Sequence, residues 1–200
     1  MLKDSGLPII TAESMADAAK AGMGGVYFDA QGNSYLWRTP FPLDIQARLV
    51  SVDNPHGDIT NSDLEHAAVV CQTAIMAHNH DVRYSTIQTN TDDTPTISRV
   101  NKGPVSSEGP SAGLCHLACA HQRHHRYCHL AGFLPGGLNV MSDDASGLQH
   151  LSDTELLSHF EQNYPQPRPW LMRHLPPRTA SLVVSALVSK LPAVPSPPDS

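Results

Sequence analysis

The sequence predicts a three-layer α/β domain, a five-stranded mixed sheet with helices on both faces. Two observations carry this. Short runs of β-branched and aromatic residues alternate with stretches whose apolar residues recur at helical spacing, and turn residues separate them. Four acidic residues, Asp17, Glu65, Asp92 and Asp143, then fall where strands end or helices begin, where open sheets gather their sites.

The elements follow in order. Pro8 to Asp17 predicts a strand ending in an acid, and glycine-rich Lys20 to Gly25 predicts a turn. Val26 to Asp29 and Ser34 to Arg38 predict two strands joined at the hairpin turn Gln31-Gly32-Asn33. Pro40 and Pro42 stop the third strand. Leu43 to Asp58 is ambiguous between a short strand and a loop. A helix should start near Thr60 to Asp63, because Leu64, Ala67, Ala68, Cys71 and Ile75 follow at helical spacing. Val82 to Thr89 predicts a buried strand with Asp92 just past its end. Thr94-Pro95 opens a short helix, and a second helix is expected from about Ser111 to His124. Tyr127 to Leu134 predicts the last strand, with a helix beginning around Ser142. Ser152-Asp153-Thr154-Glu155 is a capping-box pattern. The first three strands should be antiparallel and the last two parallel additions.

Residues 1–150 read as the domain and 151–170 as a C-terminal helix and extension. Residues 171–200 read as a proline-rich tail, a linker carrying at most one short helix and no sheet strand. With 13 Lys and Arg against 19 Asp and Glu, the net charge of −6 argues against strong nucleic-acid binding by bulk electrostatics. The four cysteines, Cys71, Cys115, Cys119 and Cys128, are too few for a disulfide scaffold in 200 residues and read as reduced thiols of an intracellular protein. No apolar run reaches membrane-spanning length.

Four sequence blocks carry a resemblance. They are Ala16-Asp17-Ala18-Ala19-Lys20-Ala21-Gly22-Met23-Gly24-Gly25-Val26; Gly57-Asp58-Ile59-Thr60 with Asp63-Leu64-Glu65; Thr91-Asp92-Asp93-Thr94-Pro95; and Leu134-Pro135-Gly136 with Leu138-Asn139-Val140-Met141-Ser142-Asp143. In this order, each with its acid, they resemble the ribonuclease H-like domain of retroelement reverse transcriptase polyproteins, of the DIRS type or a related eukaryotic element. The likeness runs through roughly the first 170 residues. The leucine, serine and arginine that follow the family's last acid stand here as Ala145, Ser146 and Gly147.

The resemblance implies a ribonuclease H-like fold and cleavage of RNA in RNA/DNA hybrids. It implies Asp17, Glu65, Asp92 and Asp143 as catalytic ligands of two Mg²⁺ (or Mn²⁺) ions, with a fused or associated reverse transcriptase as partner. Each acid has a competing reading. Glu65 could cap its own helix through Ser62-Asp63-Leu64-Glu65, unless Thr60 is the cap and Asp63 takes that work. Asp93 competes with Asp92, and Asp144 with Asp143. Lys20, Arg38, Arg99, Lys102 and the stretch from His121 to Arg126, including Arg123, are candidate contacts to a hybrid backbone. A second function class is a catalytically silent nucleic-acid-binding or structural remnant. A third is a zinc-binding module built from Cys115, Cys119, His121, His124, His125, Cys128 and His129, although paired C-x₂-C spacing is missing.

Overall fold

Alternate residues of three consecutive strands divide between two cores. Strands β2 (Ser14–Ala19), β3 (Gly22–Phe28) and β4 (Ser34–Pro40) form an antiparallel meander. Ala16, Ala18, Met23, Tyr27, Tyr35 and Trp37 join one core, and Met15, Val26 and Leu36 join the other. The computed structural model describes residues 9–10, 14–104 and 108–188. The remaining strands are β1 (Ile9–Ile10), β5 (Thr86–Thr91), β6 (Cys128–Phe133) and β7 (Leu171–Arg173).

Both β1 and β2 pair with β5 in parallel, and β6 pairs with β5 along its whole length. A strand has two edges, so β1 and β2 share one of them. The seven segments therefore fill six positions: β6, β5, then β1 with β2, β3, β4 and β7. The expected antiparallel three and parallel two are present, and β7 adds a sixth position, parallel to β4.

Helix α2 (Asn61–Asn79) lies against the sheet's first face and is buried almost all round from Asp63 to Met76. Helices α1 (Leu43–Arg48), α4 (Pro110–His125) and α7 (Pro177–Val188) pack on the same core, and α3 (Thr94–Lys102) adds Val100 at its margin. Helices α5 (Val140–Gly147) and α6 (Asp153–Asn163) cover the opposite face, with Ala145, Leu156, Phe160 and Trp170 at its centre. The result is a three-layer α/β arrangement. Among the described residues no helix is long and apolar enough to cross a membrane.

Several expectations need correction. The glycine-rich stretch is strand from Gly22 onward, and the turn shrinks to Lys20 and Ala21. Gly24 and Gly25 are there for close approach. A Cβ at Gly24 would meet the Ala145 backbone of α5, and one at Gly25 would meet the Met15 carbonyl and the Gln72 side chain of α2. Residues 43–48 form helix, and Leu49 and Ile59 then bridge in parallel. Residues 171–188, expected as linker, supply β7 and a helix whose Val183, Ala186 and Leu187 are fully buried. The prolines do not forbid this, because β7 lies on a sheet edge between them and Pro177 occupies the first turn of α7. The rest of the expected tail, 189–200, lies outside the described residues, as does Pro8.

Candidate metal centre

Register sets the first pairing of acids. Met15 of β2 stands opposite Asn90 of β5 in parallel, so two residues further along Asp17 comes level with Asp92. Strand β5 stops at Thr91, and Asp92 follows it immediately.

Glu65 enters from the other layer. Thr60 caps α2: its hydroxyl accepts the Asp63 amide at 3.3 Å, and the Asp63 carboxylate accepts the Thr60 amide at 2.9 Å. Asp63 also meets Arg99 at 3.2 Å. With the cap work done by Asp63, Glu65 turns inward and is 4% exposed. The Ser62-to-Glu65 capping alternative is thereby excluded.

Asp17, Glu65 and Asp92 each present a carboxylate oxygen, and these oxygens all lie within 4.8 Å of one another. Among the described residues no other group of three or more His, Cys, Asp or Glu side chains gathers as closely. Asp143, in the first turn of α5, stands outside that trio but within its field.

The two neighbouring aspartates do structural work. Asp93 caps α3 by accepting the Thr96 amide at 2.8 Å, and it also accepts the Ser62 hydroxyl at 2.8 Å. Asp144 accepts from the Tyr164 hydroxyl at 2.8 Å and meets His159 at 2.7 Å. Asp92 and Asp143 are the exposed member of each pair.

Crowding and burial set the charge state. Burial pushes the Glu65 carboxyl up to about 10, with Asp17 and then Asp92 adding to the shift while the Ala18 amide opposes it. Asp143 is raised to about 6 by burial first, then by Asp17 and Asp92. Asp92 is raised by burial and by Asp17.

A divalent cation fits this donor set. Every donor is a carboxylate oxygen, the chemistry Mg²⁺ and Mn²⁺ prefer. The Glu65 Oε2 atom is buried with no hydrogen-bond partner, so the site holds one acceptor more than the protein satisfies.

No protein-family model matches the chain, and no curated protein matches it. Two solved structures resemble it at low identity. One is the RNase H1 of the halophilic archaeon Halobacterium salinarum, with TM-score 0.48 and 12% identity, covering 67% of this chain and 92% of that one. The other is the N-terminal RNase H domain of a Mycobacterium tuberculosis protein, solved as a fusion with maltose-binding protein. It gives TM-score 0.41 and 10% identity over the same two shares. Neither is close enough to carry an activity over to this chain.

Three residues that the sequence did not mark as functional shape the site. The Ser146 hydroxyl donates to Asp17 Oδ2. It lies three residues after Asp143, hence on the same face of α5, and that spacing was the available signal. Gly136 leaves room for Asp92, since a Cβ there would sit 2.7 Å from Asp92 Oδ2. Gly24 lets α5 reach the sheet at all.

The expected backbone-contact residues are spread over several elements. Arg99 is held by Asp63 and by the Ser62 carbonyl at 2.8 Å. Arg38 is held by Asp153 and by the carbonyls of Leu148 and Leu151. Arg123 is exposed near the end of α4, beside the start of β6. Asp92 follows the far end of β5, so about six residues of strand, roughly 20 Å, separate them. Lys20 is exposed in the β2–β3 turn, and Lys102 is exposed at the end of α3.

The zinc set does not converge as written. Cys128 is exposed at the start of β6, while His121, His124 and His125 turn toward one another and Tyr127. Cys115, Cys119 and His129 line one cavity, and His121, His124 and His125 line another.

Proposed function

We propose that this chain is a ribonuclease H-type hydrolase that cleaves the RNA strand of RNA/DNA hybrids. Asp17, Glu65, Asp92 and Asp143 would hold two Mg²⁺ or Mn²⁺ ions. The observation that carries the reading is the gathering of Asp17, Glu65 and Asp92 oxygens within 4.8 Å, from three separate elements, with the neighbouring acids tied up elsewhere.

Bound cations would lower the pKa of an attacking water and stabilise charge on the departing 3′ oxygen. The chain's own residues position that chemistry. Asp17 is fixed on a central strand and oriented by Ser146. Glu65 approaches from the opposite layer and must lose its proton to become a ligand. Asp92 and Asp143 stand on the exposed side, where a phosphodiester can approach. The four sequence blocks support a retroelement origin, with a fused or associated reverse transcriptase gripping the hybrid. Residues 1–170 would then be the nuclease, with 171–188 completing its core.

The test is hybrid cleavage with Mg²⁺ or Mn²⁺ by wild type, Asp17→Asn and Asp92→Asn. Each variant should lose at least about a hundredfold in rate, the scale of losing one group that stabilises the transition state. Equal cleavage by wild type and Asp92→Asn would remove the assignment. A wild type that binds the cations and the hybrid yet cleaves nothing would be a silent remnant.

A further inference from the structure

A cavity of about 130 Å³ is lined among others by His66, Arg99, Cys115, Cys119, Gln122 and His129. His66 comes from α2, one residue after Glu65, and is 1% exposed. Neither of its ring nitrogens has a hydrogen-bond partner. An imidazole always offers a donor, an acceptor or both, so a buried ring with nothing on either nitrogen calls for a ligand.

The other donors are soft as well. Cys115 is 6% exposed, and its thiol makes only a long 3.8 Å contact to the Arg99 carbonyl. Cys119 is one helical turn further along α4 and exposed. His129 is 4% exposed and its Nε2 lies 3.2 Å from Thr89 Oγ1. If Nε2 donates there, Nδ1 carries the lone pair, the arrangement by which an outer hydroxyl fixes the tautomer of a ligating histidine.

We propose that His66, Cys115, Cys119 and His129 form a site for a soft transition-metal cation, Zn²⁺ foremost, separate from the carboxylate trio.

Two thiolates and two imidazoles match the tetrahedral preference of Zn²⁺, with Zn–S near about 2.3 Å and Zn–N near about 2.0 Å. No three of these donors yet lie within 4.8 Å of one another, so binding must draw them together. The required motion is small for the cysteines. Residues four apart on a helix have Cβ atoms about 5–6 Å apart, and exposed Cys119 can rotate about χ1. The cavity has the volume of about four waters at roughly 30 Å³ each, room for one cation and a partly contracted shell. Arg99 in the wall favours ionised thiols, and two thiolates neutralise Zn²⁺ without further anions. Burial raises the Cys115 thiol to about 11, so metal binding at neutral pH must displace its proton.

The experiment titrates the full chain with Zn²⁺ against a chromophoric chelator, and with Co²⁺ by absorption. Co²⁺ should show thiolate-to-metal charge-transfer bands, and Zn²⁺ should protect Cys119 from alkylation. Cys119→Ser, an exposed position that leaves the fold intact, should weaken Zn²⁺ binding at least tenfold and reduce the bands, with Cys115→Ser and His66→Gln acting in the same direction. Asp92→Asn should leave the bands unchanged, which separates this site from the carboxylates. Zn²⁺ binding that survives Cys119→Ser and is lost in Asp92→Asn would overturn the proposal. So would no Zn²⁺ binding at all, which would leave a hydrated cavity.

Discussion

Gly24 lies directly beneath Ala145. A Cβ at position 24 would fall 2.5 Å from the Ala145 carbonyl carbon and 2.6 Å from its oxygen. This contact seats α5 on the meander, and α5 carries both Asp143 and the Ser146 that holds Asp17. The glycine-rich block therefore serves the site from within a strand.

Gly24→Ala should accordingly lower the melting temperature, because the atoms it meets are backbone and cannot swing aside. Overpacking of this kind costs about 1–3 kcal/mol. It should also weaken Mg²⁺ binding by moving α5 away from Asp17. Gly147→Ala, on the same helix with open space around it, is the control and should do neither. Equal behaviour of the two variants in thermal melts would count against the docking role.

Metal-free protein should be more stable in mild acid than at neutral pH, as far as the site contributes. The fold raises Glu65 from 4.5 to about 10 and Asp143 from 3.8 to about 6. A raised carboxyl means the folded state holds its proton longer than the unfolded state. Its contribution to stability therefore falls as pH climbs from the unfolded value to the folded one. For Asp143 that window closes near 6, and for Glu65 it extends to about 10. Glu65→Gln should thus raise the metal-free melting temperature at pH 7 to 8 and flatten its pH dependence. It should also abolish stabilisation by millimolar Mg²⁺. Melts of both proteins with and without the ion decide this. A wild type stabilised no more than Glu65→Gln would end the linkage argument.

The order of elements was legible because its signals are local. Turn residues, the helical spacing after Thr60 and the acids at strand ends all lie within short windows. Register was not legible, since nothing local says that Met15 meets Asn90, and the level pairing of Asp17 with Asp92 depends on it. Asp93 caps α3, a task whose pattern is short-range, and Asp92 is the one of the two that lies with Asp17 and Glu65. Tertiary context decided the rest. Gly22 to Gly25 looks like a turn until a helix is laid across it, and Leu171 to Val188 looks like a linker until its apolar residues find the core.

A chain ending at Trp170 should lose cooperative unfolding. It removes β7 from the β4 edge and strips Val183, Ala186 and Leu187 from the core shared with α2 and α4. Each large apolar side chain so lost is worth about 1.5–3 kcal/mol, and together they approach the whole stability of a domain. Val183→Asp in the full chain should reproduce much of the effect by burying a charge. A truncated protein that still melts sharply would return this segment to the status of a tail.

Hybrid binding by the isolated chain should be weak, and this follows from charge. The net charge is −6, and Arg38 and Arg99 are spent on internal carboxylates and carbonyls. Few cations remain to release counterions from a phosphate backbone. Position 147 is the informative place to add one. It lies one helical turn beyond Asp143, has open space around it, and carries glycine where the resembling family has arginine. Gly147→Arg should therefore be tolerated, gain helix propensity of up to about 1 kcal/mol, and tighten hybrid binding with a steeper salt dependence. Fusing a basic hybrid-binding module should raise cleavage further through effective concentration, without altering the carboxylates. Cleavage rates at several salt concentrations, for wild type, Gly147→Arg and the fusion, test this. If the fusion binds tightly and cleaves no faster than wild type, affinity was not the limit. If Gly147→Arg cleaves faster at saturating hybrid, the missing arginine acts on the chemical step rather than on binding.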